Sequence, residues 1–336
     1  SYTAVQIVAL LPIGWISDRF NKKIILLGGL VTLALSYLGF LLVDGVVSLT
    51  IARTFQGVGF ATAGTTCLAI TGELAPENNR GKIIGTSNAS RLLSSALGSV
   101  LGGLMVQQWG FGPPYFLLFL LTTVSGILTY LFVEEDESRI EGITFHVHAL
   151  NRRIQSIAWF RTLYAFSVMM VRTYVPVFAR LALSLSAVQI GFILAAEKAV
   201  NMVFQRYSGK ISDGIGRFAM LFLGGSMYAI GAVFVPFQRS FLALLAINGF
   251  LGLADAFREP ASMALFADEG RESGIASSFS IRSLIWKPGA ILAPLLGGGL
   301  MEWFGFGYVF WLASAFTIMG LALMGIFILR FSEQVF

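Results

Sequence analysis

Long apolar runs, each close to 20 residues, recur along the whole chain and are separated by short polar patches. A helix rising about 1.5 Å per residue needs about 20 such residues to cross a hydrocarbon core of about 30 Å. The pattern predicts spanning helices over about 1–15, 24–43, 46–73, 82–106, 113–133, 159–179, 187–208, 217–236, 240–267, 273–300 and 307–330. The alternating segments of about ten residues that build a membrane β-barrel are not seen. One polar stretch is longer than the others, Glu134 to Arg153. It reads as a linker over 134–158 between two helical halves, 1–133 and 159–336.

The two halves repeat. A shift of 195 positions lays Gly14, Ile16, Ser17 and Asp18 on Gly209, Ile211, Ser212 and Asp213. The same shift lays Gly57 on Gly252, Gly102-Gly103 on Gly297-Gly298, and Gly110-Phe111-Gly112 on Gly305-Phe306-Gly307. One offset shared by separate segments argues for duplication, and parallel repeats about an axis normal to the membrane are one transporter architecture. The offset also places a counterpart of the 159–179 helix before Ser1, so a first helix is expected outside this chain.

Composition fits the pattern. The chain is 56% hydrophobic and only 12% charged, where a soluble domain carries about 25% charged residues. The net charge of +5 is then a property of loops and does not indicate a nucleic-acid partner. Loops on one side hold Arg19, Lys22, Lys23, Arg80, Lys82, Arg139, Arg152, Arg153, Lys210, Arg217, Arg271 and Arg330, whereas the other side holds Arg180 and Arg239. The positive-inside rule makes the richer side cytoplasmic, with both termini on it. Cys67 is the single cysteine, so no intrachain disulfide forms. His146 and His148 sit in the linker as a solvated pair, too few ligands for a structural metal site. No metal, cofactor or catalytic residue is expected. No G-x-x-x-x-G-K-[ST] occurs, so ATP binding through such a loop is not indicated.

Between the first two runs stands Gly14-Trp15-Ile16-Ser17-Asp18-Arg19-Phe20-Asn21-Lys22-Lys23. Its G-x-x-S-D-R-x-x-K-K pattern resembles the signature loop between the second and third helices of the major facilitator superfamily. Arg53-Thr54-Phe55-Gln56-Gly57-Val58-Gly59-Phe60-Ala61 resembles that superfamily's R-x-x-Q-G-x-G-x-A motif on the fourth helix. Gly98-Ser99-Val100-Leu101-Gly102-Gly103 is similar to its antiporter element G-P-x-x-G-G, with serine in place of the proline. The resemblance implies an all-α membrane protein with the major facilitator fold: two pseudo-symmetric six-helix halves, eleven of the helices present here. It also implies a gating loop made of Gly14, Asp18, Arg19, Lys22 and Lys23, with a second copy at Gly209, Asp213 and Arg217.

Charges inside spans are costly and mark substrate or ion pathways. Depth along each span selects Arg91, Glu197, Lys198, Asp255 and Lys287, with Arg172 and Arg258 about a turn away. Arg53 lies nearer an end, with Gln56 one turn on, and Asn201 adds hydrogen-bonding capacity. Lys198 is expected to point away from Glu197, because adjacent side chains on a helix diverge. Lys287 is the expected partner of Asp255. Tyr164, Tyr174 and Trp286 are expected in the lipid-facing or core packing.

These readings predict a secondary transporter that moves a small molecule by alternating access. Within the superfamily the chain looks most like the twelve-helix proton-coupled exporters of drug-like or amphipathic compounds. The expected setting is the cell membrane, with an ion gradient as driving force and a monomer as the working unit. Two alternatives stay open: uptake or exchange of a small organic anion, and a non-transporting receptor or lipid-handling module on the same fold.

Overall fold

The computed structural model describes residues 21–74, 80–134, 152–273 and 275–332. Ten α-helices occupy them: α1 (Lys22–Leu41), α2 (Val46–Leu74), α3 (Arg80–Trp109), α4 (Gly112–Phe132), α5 (Arg152–Leu181), α6 (Ala187–Ile215), α7 (Arg217–Phe234), α8 (Phe241–Ser273), α9 (Ile275–Phe304) and α10 (Phe306–Ser332). A single 3₁₀ turn, Val235–Phe237, follows α7. Nine of the ten, all but α2, are long and apolar enough to cross a membrane. In α2 the apolar run is diluted by threonines. Thr50, Thr54, Thr62 and Thr65 each donate their hydroxyl to the carbonyl one turn back, so these polar groups are satisfied within the helix itself.

The duplication read from the sequence is present in the backbone. α3 and α9 have 30 residues each and are displaced by 195 positions at both ends. Each is followed by a glycine at positive φ, Gly110 at 78° and Gly305 at 90°, a conformation that favours residues without a Cβ. α2 and α8 begin at the same offset, at Val46 and Phe241.

Two corrections concern element ends. Gly209 and Asp213, expected in a loop, lie within α6, which runs to Ile215. The turn is made by Gly216 at φ 101°, and Arg217 opens α7. The end of the expected linker is helical too, since α5 starts at Arg152. Gly14, Asp18, Arg19, His146 and His148 lie outside the described residues, as does the side chain of Asp213.

The chain divides into two compact units, one of residues 1–90 and 105–144, the other of 91–104 and 145–336. In the first, α1 and α2 cross closely. Gly29 leaves room for the backbone of Ala63, and Gly59 for that of Leu33. Small residues at such a crossing let dispersion contacts form where lipid supplies no hydrophobic drive between helices. α4 lies on α1, with Tyr115 stacked on Phe40 at 4.6 Å. It buries no residue and exposes Phe116, Leu120, Leu121 and Leu128, as a lipid-facing helix does. An apolar recess of about 340 Å³ between α1 and α2 is lined by Leu35, Ser36, Ile51 and Phe55 among others.

The second unit has the larger core, built around Phe160, Tyr164, Met170, Tyr228, Leu251 and Phe310. α5 packs on α9 and α10, α6 on α8, and α7 on α8 and α10. Segment 91–104 of α3 lies on α6, where Gly103 abuts the Ala187 carbonyl and Gly191 the Ser99 carbonyl. The glycine and serine of the antiporter-like element therefore serve helix packing.

Candidate functional site

The second unit holds a ladder of buried and half-buried charges on α5, α6 and α8. Its rungs alternate in sign: Lys198, Glu197, Arg172, Asp255, Arg258, Glu259, Arg161. Lys198 Nζ is 2.7 Å from Glu197 Oε1. Arg172 Nη2 is 2.8 Å from the same oxygen and 3.2 Å from Asp255 Oδ2. Arg258 Nη2 is 3.1 Å from Asp255 Oδ1 and 2.7 Å from Glu259 Oε2. Arg161 Nη1 is 3.9 Å from Glu259 Oε2.

Local sequence explains how the groups meet. Arg161 and Arg172 are three turns apart on α5, about 16 Å along its axis. Asp255 and Glu259 are one turn apart on one face of α8. Gly252 brings α8 against α6, since a methyl there would overlap the carbonyl oxygen of Glu197. That close approach sets Asp255, one turn further on, within reach of the arginine that holds Glu197. Pro260 supplies no N–H to the Ala256 carbonyl. Ser208 of α6 donates its hydroxyl to that carbonyl instead.

Aromatic rings line the ladder. The Tyr164 hydroxyl donates to Asp255 Oδ1 at 2.8 Å, and its ring lies 4.1 Å beneath the Arg258 guanidinium. Arg161 lies 5.0 Å above the ring of Trp286. Tyr228 packs on Tyr164 with centroids 5.0 Å apart. Ring faces attract guanidinium charge most when water is excluded, and Arg161, Tyr164, Glu197, Asp255 and Arg258 are all buried.

Each charge between Lys198 and Arg161 thus has opposite charge on both sides. Desolvating single ions at this depth would cost several kcal/mol each, and alternation with short contacts is what offsets that cost. Four cations face three anions. Arg258 Nη1 and Asn201 Oδ1 are buried without a hydrogen-bond partner. Asn201 lies one turn beyond Glu197, on the same face of α6.

Of the residues selected from the sequence, the structure brings together Arg172, Glu197, Lys198, Asp255 and Arg258. It corrects two pairings. Lys198 reaches back to Glu197, because its four-carbon stem overcomes the angular separation of neighbours. Asp255 is bonded by Tyr164, Arg172 and Arg258, and the expected partner, Lys287, half-buried on α9, is not among these. Tyr164 and Tyr174 are core residues with polar tasks, the latter donating to the Pro294 carbonyl at 2.5 Å. Arg53 and Gln56 form their own pair in the first unit, Nη1 to Oε1 at 2.9 Å, with Arg53 4.9 Å above the Phe40 ring. Lys22 is buried, Lys23 lies over the Tyr130 ring, and Arg217 Nη1 donates to the Ala264 carbonyl. Arg91 is exposed on α3. Sequence reasoning misses Arg161 and Glu259. The signal for Glu259 is its place one turn after Asp255 with Arg258 between.

The sequence matches the model of the Major Facilitator Superfamily over residues 1–233 and 157–334. It is similar to the multidrug resistance protein MdtG of Dickeya zeae, 24% identical over 322 residues, covering 91% of this chain and 77% of that protein. It is similar to the multi-drug resistance efflux pump PmrA of Streptococcus pneumoniae, 22% identical over 339 residues, covering 94% and 81%. Among solved structures it resembles the human organic anion transporter MFSD10 (TETRAN), with TM-score 0.71 at 15% identity, covering 96% of this chain and 82% of that one. The chain is a multi-pass membrane transporter rather than an enzyme, and it belongs to the Major Facilitator Superfamily.

Proposed function

We propose that this transporter exports drug-like or amphipathic compounds by alternating access, driven by a proton gradient. The observation that carries the reading is Arg172, held at once by Glu197 of α6 and Asp255 of α8. Protonating either acid removes half of that bridge and leaves Arg172 to the other acid. A proton is thereby converted into a change in how α5, α6 and α8 are joined. Efflux of drug-like compounds is supported by the names of two relatives, a multidrug resistance protein and a multi-drug resistance efflux pump. Asn201 Oδ1 and Arg258 Nη1 are buried polar atoms placed to meet substrate or water. Asp18, Arg19, Lys22, Lys23, Asp213 and Arg217 are proposed to gate the cytoplasmic side of a monomer in the cell membrane, with both termini cytoplasmic.

A second reading, carriage of a small organic anion, is favoured by the three arginines of the ladder. Its arginines offer the planar fork that matches a carboxylate. Proteoliposomes under an imposed pH gradient test both readings, with tetraphenylphosphonium and benzoate as probes. Gradient-driven movement of the cation, lost in Glu197→Gln or Asp255→Asn, supports proton-coupled export. Benzoate movement alone would replace it with the second reading, and no flux of either would count against both.

A further inference from the structure

We propose that Glu259 is a second proton-binding group, and that Arg258 passes between Asp255 and Glu259 as a proton moves from one acid to the other. The inference rests on the proton-coupled reading above for Asp255 as the first acceptor. One nitrogen, Arg258 Nη2, lies within reach of both acids, 3.1 Å from Asp255 and 2.7 Å from Glu259. With both acids in reach the guanidinium lies 4.1 Å from the Tyr164 ring, so an exchange between them needs no new desolvation of the cation. Its Nη1 has no acceptor, which leaves a donor for whichever oxygen turns towards it.

The backbone at this point suits a moving turn. Pro260 follows Glu259 and interrupts the hydrogen-bond ladder of α8, and the carbonyl it orphans is already held by Ser208. The turn carrying Arg258 and Glu259 therefore adjusts without breaking a helical bond there. The charges belong to one repeat only. The 195-residue shift lays Asp255, Arg258 and Glu259 on Phe60, Ala63 and Gly64, so the duplicated fold alone does not require them.

The step balances. Asp255 as the neutral acid gives its proton to the Glu259 carboxylate. One acid and one carboxylate stand before and after, and Arg258 turns to the newly bared oxygen. The acids are separated by one helical turn, about 6 Å, a gap closed by a swing of the Glu259 side chain or one water. Glu259 is faced by Arg258 on its own helix and Arg161 on α5. Asp255 is faced by Arg258, by Tyr164 and Arg172 of α5, and through Arg172 by Glu197 of α6. From α9, Trp286 covers Arg161 and Lys287 follows it in sequence; from α7, Tyr228 packs on Tyr164.

The test is an infrared difference spectrum of the whole protein in phosphatidylcholine bilayers, acid against alkaline buffer, without substrate. The carboxylic-acid carbonyl band should lose one component in Glu259→Gln and a different one in Asp255→Asn. Arg161→Gln retains both acids and should move the titration midpoint of the Glu259 component by about one pH unit, a tenfold change in proton affinity. An unchanged band in Glu259→Gln overturns the proposal. Should that variant not fold, an unmoved midpoint in Arg161→Gln overturns it equally. The spectrum needs no flux, so a failure of gradient-driven transport is read separately from a failure of this inference.

Discussion

Arg172 and Asp255 meet at 3.2 Å across the junction of α5 and α8, while the same arginine nitrogen holds Glu197 of α6 at 2.8 Å. Three helices of the second unit are thus tied through one guanidinium. A lysine could place a charge there, but it lacks the second nitrogen of the guanidinium, Nε, which also donates to Glu197 Oε1 at 3.1 Å.

Arg172→Ala should leave two buried carboxylates short of a counter-charge. We expect a stability loss of about 3 kcal/mol, the lower end for breaking a buried pair, since 35% of the Arg172 side chain is exposed. Adding Glu197→Gln to that variant should recover a good part of it, because an acid has been removed with its partner. Thermal unfolding in detergent of the two single variants and the double variant measures this. A double variant as unstable as the sum of the singles would show that the bridge is not energetically coupled.

The bond from Ser208 to the Ala256 carbonyl stands in for the one Pro260 cannot make. Ser208→Ala should cost about 1 kcal/mol, the scale of a lost hydrogen bond to a buried acceptor. In a Pro260→Ala background the helix supplies its own N–H, and Ser208→Ala should then be close to neutral. A double-mutant cycle on unfolding free energy reads the difference. An equal cost in both backgrounds would mean that Ser208 acts elsewhere.

Helix positions are legible in the sequence because apolar length and glycine turns set them locally. Every described helix overlaps its expected span, and the 195-residue repeat reappears in α3 and α9. The charge partners are less legible. Periodicity gives the face on which Asp255 stands, not which helix lies opposite, and Arg172 wins over Lys287 because α5 is the neighbour that reaches it. Arg161 escapes notice for a related reason. It looks like the edge of a span starting near 159, whereas α5 begins at Arg152 and carries it more than two turns inside.

Gly252 is a position where size decides the site. Gly252→Ala places a methyl against the Glu197 carbonyl and should force α6 and α8 apart, at about 1–3 kcal/mol for overpacking. The same displacement separates Asp255 from Arg172. We therefore expect gradient-driven flux to fall more steeply than thermal stability does. Full flux in a stably folded Gly252→Ala protein would argue that the spacing of these two helices does not control coupling.

We propose Arg91 as the residue at which substrate charge can be tested. It stands on α3, in the segment that joins the second unit, with an exposed side chain. An arginine at this depth of a span is costly unless a cavity, water or counter-charge receives it. A carrier of organic anions would use such a base directly, its fork matching the carboxylate. An exporter of cations gains nothing from it at the ligand, where like charges repel in a low dielectric. Arg91→Ala should therefore leave tetraphenylphosphonium binding within about twofold of wild type, under about 0.5 kcal/mol, while altering stability modestly. Equilibrium binding of that cation and of benzoate to purified protein measures both arms. Selective loss of benzoate binding, with the cation never bound, would overturn the export reading in favour of an anion carrier.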